Sequence, residues 1–182
     1  MKHNTIKAQI QKKLKLLESR VLSNNKLPLS VIQYDAQDII NCLNTLTRGW
    51  PTIGKEVLNA EKKIQKLLKI KNAIMLNSGG SANFLILYLL SSVYAKKKDK
   101  LNKGDEVITP AVTWSTTVSP IIQNNLVPVL VDVNLPTYDI NVELMEKAIT
   151  KKTKAIMLVH PLGHVCNMEK IIRICKKYNL LL

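Results

Sequence analysis

Residues 105–133 read DEVITPAVTWSTTVSPIIQNNLVPVLVDV, and this stretch decides the fold. DEVITP is a strand that ends at Pro110. WSTTVSPIIQNN has the character of a helix, in which Pro120 must stand near the start or kink the axis. VPVLVDV is a run of β-branched residues suited to a strand buried on both faces. Strand, helix and strand therefore follow one another within one short segment.

The same rhythm extends in both directions. Towards the C-terminus, NVELMEKAIT (141–150) predicts a helix with Asn141 as its cap and Leu144 and Ala148 facing inward. KAIMLVH (154–160) is another buried strand, NMEKIIRICKKYN (167–179) another helix, and LLL (180–182) the start of a further strand. Towards the N-terminus, AIML (73–76) predicts a short strand, NSGGSAN (77–83) a glycine loop, and about 82–94 a helix. Apolar strands alternating with helices imply an α/β fold, its mostly parallel sheet covered by helices on both faces. Ligands bind such sheets at the carboxyl ends of the strands. NSGGS, TPAVTW and VHPLGH each follow a strand, so all three are expected to converge on one edge. A chain ending on LLL is expected to be incomplete at its C-terminus.

Before Ala73 the pattern is helical. An amphipathic helix is predicted over 1–26, with Ile6, Ile10, Leu14, Leu17 and Val21 on one face. The main domain, 27–182, opens with the polar segment SNNKLPLS. A helix over 35–46 turns Ile39, Ile40, Leu43 and Leu46 inward. The loop TRGWPTIG (47–54) leads to a third helix carrying Val57, Ile64, Leu67 and Leu68.

Composition narrows the function classes. The chain has 182 residues and a formal net charge of +14. Lysines are scattered over many helices, and only AKKKDK (95–100) is dense, which reads as a solvated loop. Charge alone supplies affinity for nucleic acid but no reading surface, so neither nucleic acid nor membrane is expected as a partner. No apolar run is long enough to span a bilayer and no signal peptide is evident, which makes the cytoplasm the default location. Three cysteines, Cys42, Cys166 and Cys175, argue against a disulfide framework. His160, His164 and Cys166 lack a fourth ligand nearby, so no metal is expected.

Two features carry possible chemistry. The glycine pair can open a helix whose free N–H groups cradle a phosphate, or can simply serve a capped turn. The spacing is neither a dinucleotide fingerprint nor a P-loop. Trp114, at a strand end, can stack on a flat ring or pack against the next helix.

Taken together in order, RGWPTIG, NSGGSAN, GDEVITPAVTWSTTVSPIIQNNLVPVLVDV and TYDINVELMEKAITKKTKAIMLVHPLGHVCNMEKI resemble the DegT/DnrJ/EryC1/StrS family. The resemblance runs from about Leu27 to the last residue. It implies the large domain of the aspartate-aminotransferase-like fold (type I), pyridoxal 5'-phosphate (PLP) as cofactor, and a homodimer with shared active sites. It implies action on a nucleotide-linked keto-sugar, with glutamate as amino donor, in lipopolysaccharide or surface-polysaccharide synthesis. Gly79, Gly80 and Ser81 match the phosphate-binding turn, Gly80 standing where a hydroxyl residue is common. Trp114 matches the aromatic that stacks on the pyridine ring. His160, Thr52 and Gly54 match positions near the substrate. The family's Schiff-base lysine lies beyond residue 182, so this chain holds no catalytic residue of that kind. An aminotransferase is the expectation. The alternatives are a sugar 3-dehydratase, in which histidine replaces that lysine, and a non-catalytic assembly fragment.

Overall fold

The computed structural model describes residues 2–22, 33–50 and 52–182. It divides into two compact units, Met1–Met75 and Leu76–Leu182. The expected boundary at 26/27, the SNNKLPLS segment and the side chain of Val21 lie outside the described residues.

The first unit holds α1 (Lys2–Leu22), α2 (Ala36–Thr47) and α3 (Lys55–Leu68). Asp35 caps α2 by accepting from the backbone N–H groups of Gln37 and Asp38, while Asp38 accepts from the N–H of Asp35. This reciprocal box satisfies donors that the first helical turn leaves unpaired. The inward faces read from periodicity are only partly covered. Leu14 and Ile40 are buried, but Ile6, Leu17, Leu43, Leu46, Ile64, Leu67 and Leu68 are exposed. Helical spacing locates an apolar stripe, and burial requires a neighbour that the described residues do not supply.

The second unit is the α/β body. Its elements are α4 (Gly79–Ser91), β1 (Glu106–Pro110), α5 (Ser115–Gln123), β2 (Val127–Val131), α6 (Val142–Lys147), β3 (Thr153–Ile156) and α7 (Met168–Tyr178). The three strands form a parallel sheet in the order β2-β1-β3. Leu181 adds a parallel bridge beside Ala155, donating to Lys154 O and accepting from Ile156 N–H. Successive strand residues point to opposite faces, and both faces are apolar. Ile108 and Ile156 pack with Met145 of α6 and Ile171 of α7. Val107 and Ala155 pack with Leu87 of α4 and Ile121 of α5. Helices therefore cover both faces of the sheet, as the sequence pattern implies, except at β2: VPVLVDV is an edge strand and not buried on both faces, leaving Val127 and Leu130 exposed.

Two expectations need correction. AIML forms no strand, because no described strand runs beside it to complete a ladder. In α6, Val142 and Met145 are buried and Leu144 is exposed. Asn141 does cap this helix, accepting from the N–H of Leu144 at 2.9 Å, and that start turns Met145 to the core.

Pro120 lies inside α5 and is buried. A proline has no N–H to give the carbonyl four residues earlier, which here is Thr116. Asn83 of α4 fills the vacancy: its Nδ2 donates to Thr116 O at 3.1 Å. The defect in one helix thus becomes the joint to the next. Asn83→Ala is expected to cost about 1 kcal/mol, the size of a typical hydrogen bond. In a Pro120→Ala background the carbonyl regains its own donor, and the same substitution is expected to cost close to nothing. Urea unfolding of the four proteins in this cycle measures the difference.

Candidate functional site

The strand order fixes where a site can form. The chain leaves β1 to one side, reaching β2, and then crosses to the other side to form β3. The direction of winding reverses between β1 and β3, and the crevice at their carboxyl ends is where open α/β sheets bind ligands. Trp114 follows β1 and His160 follows β3. Both line one cavity of about 580 Å³ with Val112, Thr113, Tyr138, Val159, Pro161 and Leu162.

Trp114 is the N-cap residue of α5 and is 66% exposed. Its indole is not core packing. Its backbone is tied into the start of α5: Thr117 N–H bonds Trp114 O at 2.9 Å, and Thr113 Oγ1 donates to the buried Thr117 Oγ1 at 2.9 Å. Tyr138 is placed by a turn in which its N–H reaches Asn134 O at 2.7 Å. His160 is exposed, and its Nδ1 accepts from the Cys166 backbone N–H at 3.3 Å. With Nδ1 committed as acceptor, the proton of the neutral ring belongs on Nε2. The hairpin between these residues is closed by Cys166, whose thiol donates to Val159 O at 3.2 Å.

The glycine turn opens α4. Ser78 is the N-cap, and its Oγ accepts from the N–H of Ser81 at 3.1 Å and donates to Ser81 Oγ at 3.2 Å. The capping reading of NSGGSAN therefore holds for Ser78. It leaves the N–H groups of Gly79 and Gly80 without an acceptor among the described residues. Such groups at the positive end of a helix suit an anion. Ser78, Gly80, Ser81 and Thr116 line a cleft of about 780 Å³ that continues along α4 and α5. Gly80 lies against Thr116, two residues after Trp114. The glycine turn and Trp114 line separate cavities that share no residue and meet only through the Gly80–Thr116 contact; the first suits a phosphate on the opening turn of α4 and the second a flat ring at Trp114.

The second unit therefore brings Gly79, Gly80, Ser81, Trp114 and His160 to the carboxyl end of its sheet. Thr52 and Gly54 belong to the first unit. Gly54 is the N-cap of α3 beside the Trp50 ring, whose Nε1 donates to Ile53 O at 3.1 Å. Sequence reasoning missed Asn83, Thr116 and Tyr138. The signal for the first two was Pro120, whose missing N–H demands a donor from elsewhere. Among the described residues, no group of three His, Cys, Asp or Glu gathers as a metal site, and no helix is long and apolar enough to cross a membrane.

The sequence profile of the DegT/DnrJ/EryC1/StrS aminotransferase family matches residues 33–182. The chain belongs to this family. Among its relatives, the lipopolysaccharide biosynthesis protein RfbH of Salmonella typhimurium is 46% identical over 132 residues, 72% of this chain and 30% of RfbH. The dTDP-4-dehydro-2,6-dideoxy-D-glucose 3-dehydratase of Saccharopolyspora spinosa is 42% identical over 122 residues, 67% of this chain and 26% of that enzyme. The solved structure of E. coli GDP-4-keto-6-deoxy-D-mannose-3-dehydratase with bound hydrated PLP superposes with a TM-score of 0.76 at 34% identity, covering 85% of this chain and 39% of that one. The DegT-family chain thus spans about a third of the length of the relatives it matches, and its parallel sheet between helix layers is the PLP type I architecture.

Burial pushes the thiols of Cys166 and Cys175 above the ordinary range. A neutral buried thiol contributes stability that is fully present below the unfolded-state pKa of about 8.5 and is lost as pH rises towards the raised folded value. The urea midpoint is expected to fall between pH 8 and pH 10. At pH 8, iodoacetamide should label the exposed Cys42 first, and Cys166 and Cys175 only on unfolding. Peptide mapping by mass spectrometry checks the order.

Proposed function

We propose that this chain is the cofactor-cradling part of a PLP-dependent enzyme that acts on a nucleotide-linked keto-sugar in surface-polysaccharide synthesis. The observation that carries this reading is the adjacency of two features at one sheet edge. The unpaired N–H groups of Gly79 and Gly80 open α4, and Trp114 opens the neighbouring α5. When bound, PLP supplies an electron sink for the carbon next to the nitrogen it holds.

The chain's own residues bind and orient. Gly79, Gly80 and Ser81 hold the phosphate. The Trp114 indole fixes the plane of the ring. His160 presents Nε2–H as a donor on the substrate side, its tautomer set by Cys166. Thr52 and Gly54 are assigned to substrate binding. The Schiff-base position is not among these residues, so the covalent step is assigned to none of them. The assembled enzyme is a cytoplasmic homodimer that uses glutamate as its co-substrate.

Between the two reactions, the reading shifts from the aminotransferase expected from sequence to a 3-dehydratase. The 3-dehydratase activities of the S. spinosa relative and of the E. coli enzyme support that shift. Incubating the purified full-length protein with PLP, ¹⁵N-glutamate and a GDP- or dTDP-linked 4-keto-6-deoxy sugar separates them. The expected product has lost the 3-hydroxyl as water and carries no ¹⁵N, the electrons coming from glutamate, which leaves as 2-oxoglutarate and ¹⁵N-ammonium. An isolated sugar containing ¹⁵N would return the assignment to aminotransferase.

The cofactor seat has its own test. The chain has two tryptophans, Trp50 and Trp114. PLP is expected to quench the emission of Trp50→Phe and to leave that of Trp114→Phe nearly unchanged. Trp114→Ala should weaken PLP binding about tenfold, the upper range of an aromatic stacking contribution.

A further inference from the structure

We propose that Thr116 of α5 supplies a side-chain hydroxyl to the phosphate seat on α4, in addition to that of Ser81. The inference rests on the reading of that turn as the place of the cofactor phosphate, and deepens it by one residue that no sequence motif marks.

Four observations meet on Thr116. A Cβ built on Gly80 would lie 3.2 Å from Thr116 Cγ2 and 3.4 Å from Thr116 Cβ. The space a side chain at residue 80 would enter is therefore already taken by the threonine from the adjacent helix. The backbone of Thr116 is held there by Asn83, through the 3.1 Å bond to its carbonyl. Thr116 lines the cleft that Ser78, Gly80 and Ser81 also line. Finally, Thr116 is exposed and its Oγ1 takes no partner among the described residues, so it is open to a ligand, whereas Ser78 Oγ is committed to capping Ser81.

The division of labour follows from the shape of threonine. Its Cβ carries a methyl group and a hydroxyl on separate staggered positions. The methyl group meets Gly80 and holds the two helix starts apart. The hydroxyl remains to donate to an anion resting on the Gly79 and Gly80 N–H groups. A hydrogen bond to a charged acceptor is stronger than a neutral one. Gly80 and Thr116 thus act as a pair, the absence of a side chain on one helix matched by a hydroxyl from the other.

The test compares the affinity of the purified full-length protein for PLP and for pyridoxal, which lacks the phosphate. In the wild type, PLP should bind more tightly. Thr116→Val keeps the shape and removes the hydroxyl, and should lower that preference about tenfold. Thr116→Ser keeps the hydroxyl and should stay within about twofold of wild type. Gly80→Ser placed on Thr116→Ala returns a hydroxyl from α4 into the vacated space, and should recover most of the affinity lost in Thr116→Ala alone. Recovery by the second substitution excludes a collapsed fold as the cause of the first loss. An undiminished phosphate preference in Thr116→Val overturns the role of Thr116 and leaves the α4 seat standing. Equal affinity of the wild type for PLP and pyridoxal overturns the seat itself, and the inference with it.

Discussion

The hydrogen bond from Asn83 to the carbonyl of Thr116 is the constraint on which the site depends. It exists because Pro120 cannot serve that carbonyl from within its own helix. Without a donor, the first turn of α5 would carry an unpaired acceptor beside the α4–α5 contact. With Asn83 in place, the starts of two helices are set against each other. One start presents unpaired N–H groups, and the other presents an indole. The cofactor proposed above would rest its phosphate on the first start and its ring on the second.

The sheet supplies the platform beneath that pair. Its central strand, β1, is flanked on both sides and sends alternate residues into two separate cores. Ile108 belongs to the layer of α6 and α7, and Val107 to the layer of α4 and α5. Because β1 and β3 are neighbours while the chain between them detours through β2, the loops after both strands end side by side. Trp114 and His160 are brought to one cavity by this winding and by nothing local to either residue. On the opposite layer, Lys177 of α7 donates to Glu146 at 2.8 Å and holds its carboxyl below the usual range. That contact ties α6 to α7 at the surface, where it trims the packing and leaves the site alone.

Much of this was legible in the sequence. Apolar runs marked all three strands, and Asn141 marked the start of α6; the helix expected over about 82–94 begins three residues earlier, at Gly79, because Ser78 caps it. These signals are local: a cap, a run of Val and Ile, a turn residue. What was not legible depended on partners far along the chain. Leu43, Leu46 and Leu67 have helical spacing, but spacing cannot tell whether anything covers them. AIML has the composition of a strand, yet composition does not provide a ladder. In α6, moving the inward face by one residue exchanged Leu144 for Met145, a difference smaller than periodicity resolves in so short a helix. Thr116 carried no motif at all. Its importance came from a proline four residues later and an asparagine in the preceding helix.

A joint made by one amide also has a register. Each residue of an α-helix turns its side chain by about 100° around the axis. An insertion or deletion between Ser78 and Asn83 would swing that amide away from α5 and separate the two helix starts. The exposed run 96–98, ahead of the buried Leu101, touches neither the joint nor the core, so it can lengthen or shorten at little cost. Homologous chains should therefore vary in length in the second segment and keep a constant count in the first, whatever residues they place there.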